Sequence, residues 1–219
     1  MKQILFSILI TFSFAQYNFN LEDLNPSSEF YGQNIGPEDF SNEVRIVYFG
    51  YYYWGICTAR FGELNEFYQQ LISDGLGDKV KLFGIGKDSH INNIGNWTNA
   101  NESMVMADSS PFSTWNDWDA SQRDLFILDA YGELQYHQSI SGGINNAVYS
   151  LINDLISEIS NSPVGDVNSD GVVNIVDVVQ TVNMVLGTVD LNQTADINND
   201  GLINVIDIVS LVNIILGTN

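Results

Sequence analysis

Cysteine and positive charge are both scarce in this chain of 219 residues. Cys57 is its one cysteine, so no disulfide can form within the chain. Only 7 Lys and Arg stand against 27 Asp and Glu, the net charge is −20, and no Lys or Arg follows Arg123. Proteins bind nucleic acids and anionic membrane surfaces through basic patches. The shortage of Lys and Arg therefore argues against both as partners. Beyond the N-terminus, no apolar run is long enough to predict a membrane span.

The N-terminus has the pattern of a secretory signal peptide. A short start containing Lys2 precedes an apolar stretch from Ile4 to Phe14, and Ser13 and Ala15 place small residues at a cleavage site. About eleven apolar residues are too few to cross a hydrocarbon core of about 30 Å as a helix. We therefore predict a signal peptide over residues 1–15 and a mature protein that is secreted or attached to the cell surface.

A twelve-residue acidic loop occurs twice near the C-terminus, beginning at Asp166 and again at Asp196. Oxygen-bearing side chains occupy loop positions 1, 3, 5, 9 and 12, and Gly171 and Gly201 occupy position 6. Hard cations such as calcium take six to eight oxygen ligands, one of them a backbone carbonyl at position 7. The predicted ligands of two calcium ions are Asp166, Asn168, Asp170, Val172, Asn174, Asp177, Asp196, Asn198, Asp200, Leu202, Asn204 and Asp207.

The two loops, each followed by an apolar helix, resemble a type I dockerin over about Gly165 to Gly217. The resemblance implies an all-α module with two EF-hand-like calcium loops, and a cohesin-like partner. Dockerins recognise cohesins through loop positions 10 and 11 and through polar or basic residues further along the helix. The equivalent positions here are mostly apolar and include no Lys or Arg: Ile175, Val176, Val182, Asn183, Gly187, Val205 and Ile206. A more hydrophobic docking partner, a purely structural cap and packing against the rest of the chain remain open.

The central part of the chain has the element order of a thioredoxin fold. Patterns of hydrophobic residues predict strands at 44–50 and 80–85, helices at 61–72 and 144–159, and a hairpin at 125–137. A βαβ unit followed by a ββα unit builds one mixed α/β sheet. The predicted division is a signal peptide at 1–15, a lead-in at 16–43, a thioredoxin-like domain at 44–160, a linker at 161–164 and the calcium module at 165–219.

The segment Trp54-Gly-Ile-Cys57 falls where thioredoxin-fold enzymes carry Cys-x-x-Cys at the start of the first helix. Together with the segments 63–75, 123–129 and 132–137, it resembles the N-terminal domain of selenoprotein P, whose motif is Sec-x-x-Cys. In this comparison Trp54 stands at the selenocysteine position and Cys57 at the resolving position. The proline that usually precedes the third strand is absent, and Arg123 or Asp124 occupies its place.

Three interpretations of Trp54 follow. In the first, the domain is degenerate and its redox chemistry is lost. In the second, Cys57 acts alone, although the resolving position is usually buried and inert. In the third, codon 54 is UGA and encodes selenocysteine, so that selenium is a further cofactor and residues 54 and 57 form the catalytic pair.

Two functions follow from these interpretations. The protein is a secreted thiol or selenol oxidoreductase tethered by its dockerin-like module, or a redox-inactive accessory or binding subunit of an extracellular polysaccharide-degrading assembly. Aromatic residues around Trp54 could stack on carbohydrate, although packing in the core explains most of them better. His90 and His137 have no partner at catalytic or metal-binding spacing, which favours surface or packing roles for both.

Overall fold

The computed structural model describes residues 17–99, 101–161, 163–168, 170–189, 191–198 and 200–218. The predicted signal peptide at 1–15 lies outside these residues. Within them, no helix has the length and apolar character needed to cross a membrane.

A five-stranded mixed sheet forms the centre of the first part of the chain. It follows a small hairpin of β1 (Leu21–Glu22) and β2 (Asn34–Ile35). The sheet strands are β3 (Val44–Phe49), β4 (Val80–Lys87), β5 (Met104–Asp108), β6 (Asp124–Leu128) and β7 (Leu134–Ser139). Their order is β5-β4-β3-β6-β7. Strands β3, β4 and β5 are parallel, β6 is antiparallel to β3, and β7 is antiparallel to β6. This topology confirms the predicted thioredoxin-like α/β fold.

Two long helices cover one face of the sheet, and two short ones lie in the connections. The helices are α1 (Gly55–Ser73), α2 (Gly95–Thr98), α3 (Ser113–Asp117) and α4 (Asn146–Asn161). Side chains alternate along β3 as expected for a strand. Ile46 and Tyr48 join the buried cluster under α1 and α4, whereas Val47 and Phe49 join a cluster on the opposite face.

The opposite face is covered by residues for which the sequence predicts only an extended lead-in. Phe19, Ile35 and Phe40 are each less than 10% exposed and pack with Trp115 and Trp118 against the sheet. Backbone bonds add to this packing, because the Leu24 amide donates to the Val105 carbonyl at 2.8 Å. The polar composition of this segment does not indicate that it covers the sheet, because a few well-spaced aromatic side chains are enough to do so.

The C-terminal part contains two loop–helix repeats, with α5 at Ile175–Val185 and α6 at Val205–Leu216. Asn174 and Asn204 cap these helices, each accepting a hydrogen bond from the amide two residues later at 2.8 Å. The small core between the repeats is aliphatic, with Val167, Val178, Met184, Ala195 and Leu211 buried. Both predicted helices are confirmed.

Candidate functional site

In the first acidic loop, backbone amides hold the two end carboxylates. Asp166 is 4% exposed, and its Oδ1 and Oδ2 accept from the amides of Asp170 (3.0 Å) and Gly171 (2.9 Å). The loop can fold back in this way because Gly171 has a φ of 83°, a left-handed value that favours glycine.

Asp177, at position 12, is completely buried. Its Oδ1 accepts from the amides of Val167 (2.8 Å) and Asn168 (3.0 Å), and its Oδ2 accepts from the amide of Asn174 (2.8 Å). One carboxylate therefore connects the start of the loop, its end and the first turn of α5. These bonds use both lone-pair sites of Oδ1, whereas Oδ2 keeps one that a cation could use.

The second loop repeats this geometry closely. Asp196 accepts from the amides of Asp200 (3.1 Å) and Gly201 (2.9 Å). Asp207 is fully buried and accepts from Ile197 (3.0 Å), Asn198 (3.3 Å) and Asn204 (2.8 Å). Two loops thirty residues apart thus place the same atoms in the same hydrogen bonds.

The remaining predicted ligands lie at the surface of each loop. In the first, Asp170 is exposed, its Oδ1 accepts from the Val172 amide at 2.9 Å, and its Oδ2 accepts from Asn168 Nδ2 at 2.9 Å. Asn174 Nδ2 donates to the Val172 carbonyl at 3.0 Å. Asn198, Asp200, Leu202 and Asn204 repeat these contacts in the second loop.

The donor set fits a hard cation. Among the described residues, no three Asp, Glu, His or Cys side chains converge on one point, so a bound ion would also need the Asn side chains and the position-7 carbonyls. Carboxylate, amide and carbonyl oxygens without sulfur or imidazole are the ligands that calcium prefers.

The redox-motif residues lie at the N-terminus of α1. Trp54 is the N-cap residue and is 43% exposed, whereas Cys57, one turn later, is 0% exposed. Gln122 Nε2 lies 3.3 Å from Cys57 Sγ. The position of an attacking residue is therefore open to solvent but filled by an indole, and the only thiol is enclosed in the core.

Arg123 forms the other side of this site. Its guanidinium lies 5.6 Å from the centre of the Trp54 ring, a cation–π distance, and its Nε donates to Ser141 Oγ at 2.7 Å. Its backbone has a φ of 73° and bonds to both Phe49 and Ile140 at 2.8 Å. Arg123 thus lies just before β6, at the place where thioredoxins usually have a proline that this chain lacks.

Sequence reasoning did not identify the contacts of Gln122 and Arg123 with the motif. Each lies more than 60 residues from its partner along the chain, so no local pattern reveals the pairing. The only signal was their position directly before a predicted strand.

The aromatic residues near Trp54 belong mostly to the core. Tyr52, Trp97, Trp115 and Trp118 are each less than 5% exposed, whereas Tyr53, like Trp54, is 43% exposed. This burial leaves little ring surface for a carbohydrate.

The two histidines also make packing contacts. His137 stacks on Phe126 at 3.9 Å and lies 3.3 Å from Asp124, and His90 packs against Tyr51 and Tyr53 at 4.9 and 4.6 Å between ring centres. Neither histidine is placed near Cys57 by these contacts.

Comparison with known proteins separates the chain into the same two parts. Residues 164–216 match the family described as the dockerin type I domain. No curated protein matches the sequence.

Solved structures resemble the first part. A thiol:disulfide interchange protein of the thioredoxin family from Chlorobium tepidum TLS has 14% identity and a TM-score of 0.50, covering 64% of this chain and 93% of that one. The pneumococcal exposed lipoprotein thioredoxin from Streptococcus pneumoniae strain TIGR4 has 12% identity and a TM-score of 0.50, covering 63% and 98%. At such identities the likeness shows the fold alone, and neither structure supports the predicted resemblance to selenoprotein P. The chain therefore combines a thioredoxin-like fold with a C-terminal segment that matches the dockerin type I family.

Proposed function

We propose that the protein is extracytoplasmic and has a thioredoxin-fold domain and a calcium-binding module. The module binds to a larger assembly and so attaches the domain to it. The observation that carries the proposal is the dockerin type I match at residues 164–216, on loops whose carboxylates are held identically in both repeats. The proposed division keeps the signal peptide at 1–15, the lead-in at 16–43, the first domain at 44–160, the linker at 161–164 and the module at 165–219.

Two calcium ions would be held by the twelve loop residues predicted from the sequence. The module carries Asp in both loops and no Lys or Arg, so the carboxylates repel one another until a cation neutralises them. Calcium binding and folding of the module should therefore be coupled. A cohesin-like protein is the proposed docking partner, since that is what the dockerin resemblance implies.

The geometry around Trp54 favours a domain that binds without redox chemistry. A thiol–disulfide exchange begins with attack by an accessible thiolate. Cys57 is fully enclosed and the exposed position before it is Trp. With tryptophan at position 54, the chain fits an accessory or binding subunit of an extracellular assembly. An assembly that degrades polysaccharides is the proposed example.

One observation favours an oxidoreductase as the second candidate. Residue 54 is exposed at the N-terminus of a nineteen-residue helix, one turn before Cys57, where a selenolate would be stabilised by the helix dipole. A selenocysteine there would attack a substrate disulfide and release one thiolate. Cys57 would then displace the second sulfur, leaving a selenium–sulfur bond for an external dithiol to reduce.

The sequence of codon 54 and the mass of the intact native protein separate these candidates. UGG with a tryptophan mass supports the binding domain, and UGA with a selenium isotope pattern supports the oxidoreductase. An insulin-reduction assay with dithiothreitol provides the functional readout. Turnover that Cys57→Ser abolishes would support the second candidate, whereas glycan binding without turnover would support the first.

Calorimetry on the full chain tests the calcium sites. We expect about two calcium ions to bind, and Asp166→Ala combined with Asp196→Ala to remove both. An absence of binding heat together with calcium-independent folding would contradict the proposal.

A further inference from the structure

An open cavity of about 650 Å³ in the first part of the chain is lined by acidic residues from three separate segments. Glu29 belongs to the lead-in, Asp78 follows α1, and Glu102 precedes β5. All three residues are exposed, and none of them belongs to an ion pair within the described part of the chain. Three unpaired negative charges therefore surround one cavity.

The positive charge that borders this cavity is already paired. Among the described lining residues Lys81 alone is basic, and it is 7% exposed. Its Nζ lies 3.0 Å from Glu43 Oε2 and donates to the Gly77 carbonyl at 2.9 Å. Because Lys81 pairs with Glu43, the potential inside the cavity stays negative and favours a cation.

A buried tyrosine also lines the cavity. Tyr68, on α1, is 6% exposed, and its hydroxyl has no hydrogen-bond partner among the described residues. Burial raises the pKa of Tyr68, and the negative charges of Glu29, Glu43 and Glu102 raise it further. Buried hydroxyl groups normally have a partner, so this one indicates that a polar group occupies the cavity.

A single metal ion does not match this arrangement. Metal ions held by carboxylates need several oxygens at about 2.0–2.6 Å. Among the described residues, no three Asp, Glu, His or Cys side chains come close enough to share one ion. The described lining residues also include no Asn or Gln, which supply the missing oxygens in the calcium loops. A ligand that neutralises this cavity must therefore carry its positive charges at separate positions.

The shape of the cavity favours a long, thin ligand. A smaller cavity of about 260 Å³ adjoins it and shares Ser27 and Glu102 with it. Ile72 gives the larger cavity an apolar wall beside the ring of Tyr68. Aliphatic chains that end in charged groups bind in this way, with their methylenes on apolar surface and their charges against acids.

We propose that this cavity binds a linear polyamine, an aliphatic chain with two or more ammonium groups. Each ammonium group has three N–H donors and no acceptor, which matches the carboxylates and the unpaired hydroxyl of Tyr68. A lysine side chain from a partner protein matches less well, because its single charge would leave two carboxylates unpaired. Neither the calcium sites nor the identity of residue 54 enters this assignment.

Calorimetry of the full chain with 1,4-diaminobutane tests the assignment. Saturating calcium keeps the acidic loops occupied, so that the amine cannot bind there. Butylamine has the same chain with one charge, and 1,4-butanediol has the chain with none. We expect the diamine to bind at least about tenfold more tightly than butylamine, because it neutralises two carboxylates. The diol should give no binding heat.

Substitutions locate the binding. Glu29→Gln with Glu102→Gln should weaken diamine binding at least about tenfold, because it removes two of the three charges and keeps the side-chain size. The matched control is Glu133→Gln with Asp154→Asn, which removes two charges from exposed residues that do not line the cavity. This control should bind like the parent. Tyr68→Phe removes only the hydroxyl and should weaken binding at least about threefold.

Several results would overturn the inference. An absence of diamine binding would do so directly, and equal binding of butylamine would show that separate charges are not recognised. Equal losses in the Glu29/Glu102 pair and in its control would show attraction by net charge alone. Tighter binding of a blocked trilysine peptide than of spermidine, which has the same charge, would assign the cavity to a basic protein segment. A lower calcium stoichiometry in the Glu29/Glu102 pair would assign it to a metal. About two calcium ions should still bind to every variant, which keeps failure here separate from failure of the calcium sites.

Discussion

Replacing Asp177 by alanine tests whether the buried carboxylate at position 12 supports the loop itself as well as a calcium ion. Asp177 accepts three backbone hydrogen bonds, and the Val167 residue that donates one of them is 1% exposed. A buried donor left without a partner costs about 1–3 kcal/mol. Since the other two donors are partly exposed, we expect Asp177→Ala to cost about 3–5 kcal/mol.

That cost is large for a module of this size. At about 0.05–0.15 kcal/mol per residue, residues 164–216 would have about 3–8 kcal/mol of stability. Asp170→Ala is the matched control, because it removes another predicted ligand from the same loop. The bonds that Asp170 accepts from Val172 and Asn168 lie at the surface, so their loss should cost under about 1 kcal/mol.

Hydrogen exchange of the full chain, with calcium and with chelator, measures the difference in module stability between the two variants. We expect amides in α5 and α6 to be less protected in Asp177→Ala than in Asp170→Ala by about 2–4 kcal/mol, or about 30- to 1000-fold in exchange rate. Residues 161–219 contain no Trp, Tyr or Phe. Tryptophan fluorescence therefore reports on the first domain alone and should stay unchanged in both variants.

Equal protection of the two variants in calcium would refute the reasoning. It would mean that Asp177 acts only as a ligand and that its backbone bonds are replaced by water. Should the parent module unfold in chelator, the comparison in calcium still decides, because both variants lose one ligand and only one loses the buried bonds.

Three further predictions follow from other parts of the chain. Trp54→Cys should create a Cys-x-x-Cys pair with Cys57 and give insulin-reducing activity, whereas Trp54→Ser should give none. Asp166→Ala should remove about one of two calcium sites in calorimetry and leave the site of Asp196 in place. Burial raises the pKa of Glu43 above its unfolded value, so the folded state holds this proton more tightly and the stability of the first domain should fall as pH rises from the unfolded to the folded pKa. Glu43→Gln should flatten this slope in denaturant unfolding followed by tryptophan fluorescence, and an unchanged slope would assign it to other groups.

The sequence predicted the acidic loops well because everything that shapes them is local. Asp166, Gly171 and Asp177 lie within twelve residues, and their spacing alone determines which amides each carboxylate can reach. The sheet was predictable for a similar reason, since buried strands such as β3 and β6 are short and mostly apolar, with Arg45 and Asp124 as their only charged residues. In the loops and in the sheet, the local sequence preference favours the same structure as the final packing does.

Contacts between distant segments were not predictable in this way. Arg123 reaches the ring of Trp54, and Phe19 and Phe40 close the second face of the sheet from a polar segment. Each contact depends on how strands are ordered in space, and a single sequence does not reveal that order. The candidate redox site was therefore predicted by its motif but not by its surroundings.

The two parts of the chain obtain their stability in different ways. The first domain has two clusters of large buried side chains on either side of the sheet, with Tyr48, Phe61 and Trp97 in one and Phe83 and Phe126 in the other. The module buries only a few aliphatic residues and leaves many others exposed, and cores of that size usually need a metal or another staple. Loss of calcium should therefore unfold the C-terminal module while the thioredoxin-like domain stays folded. Calcium would then control where the thioredoxin-like domain is held, independently of what residue 54 can do.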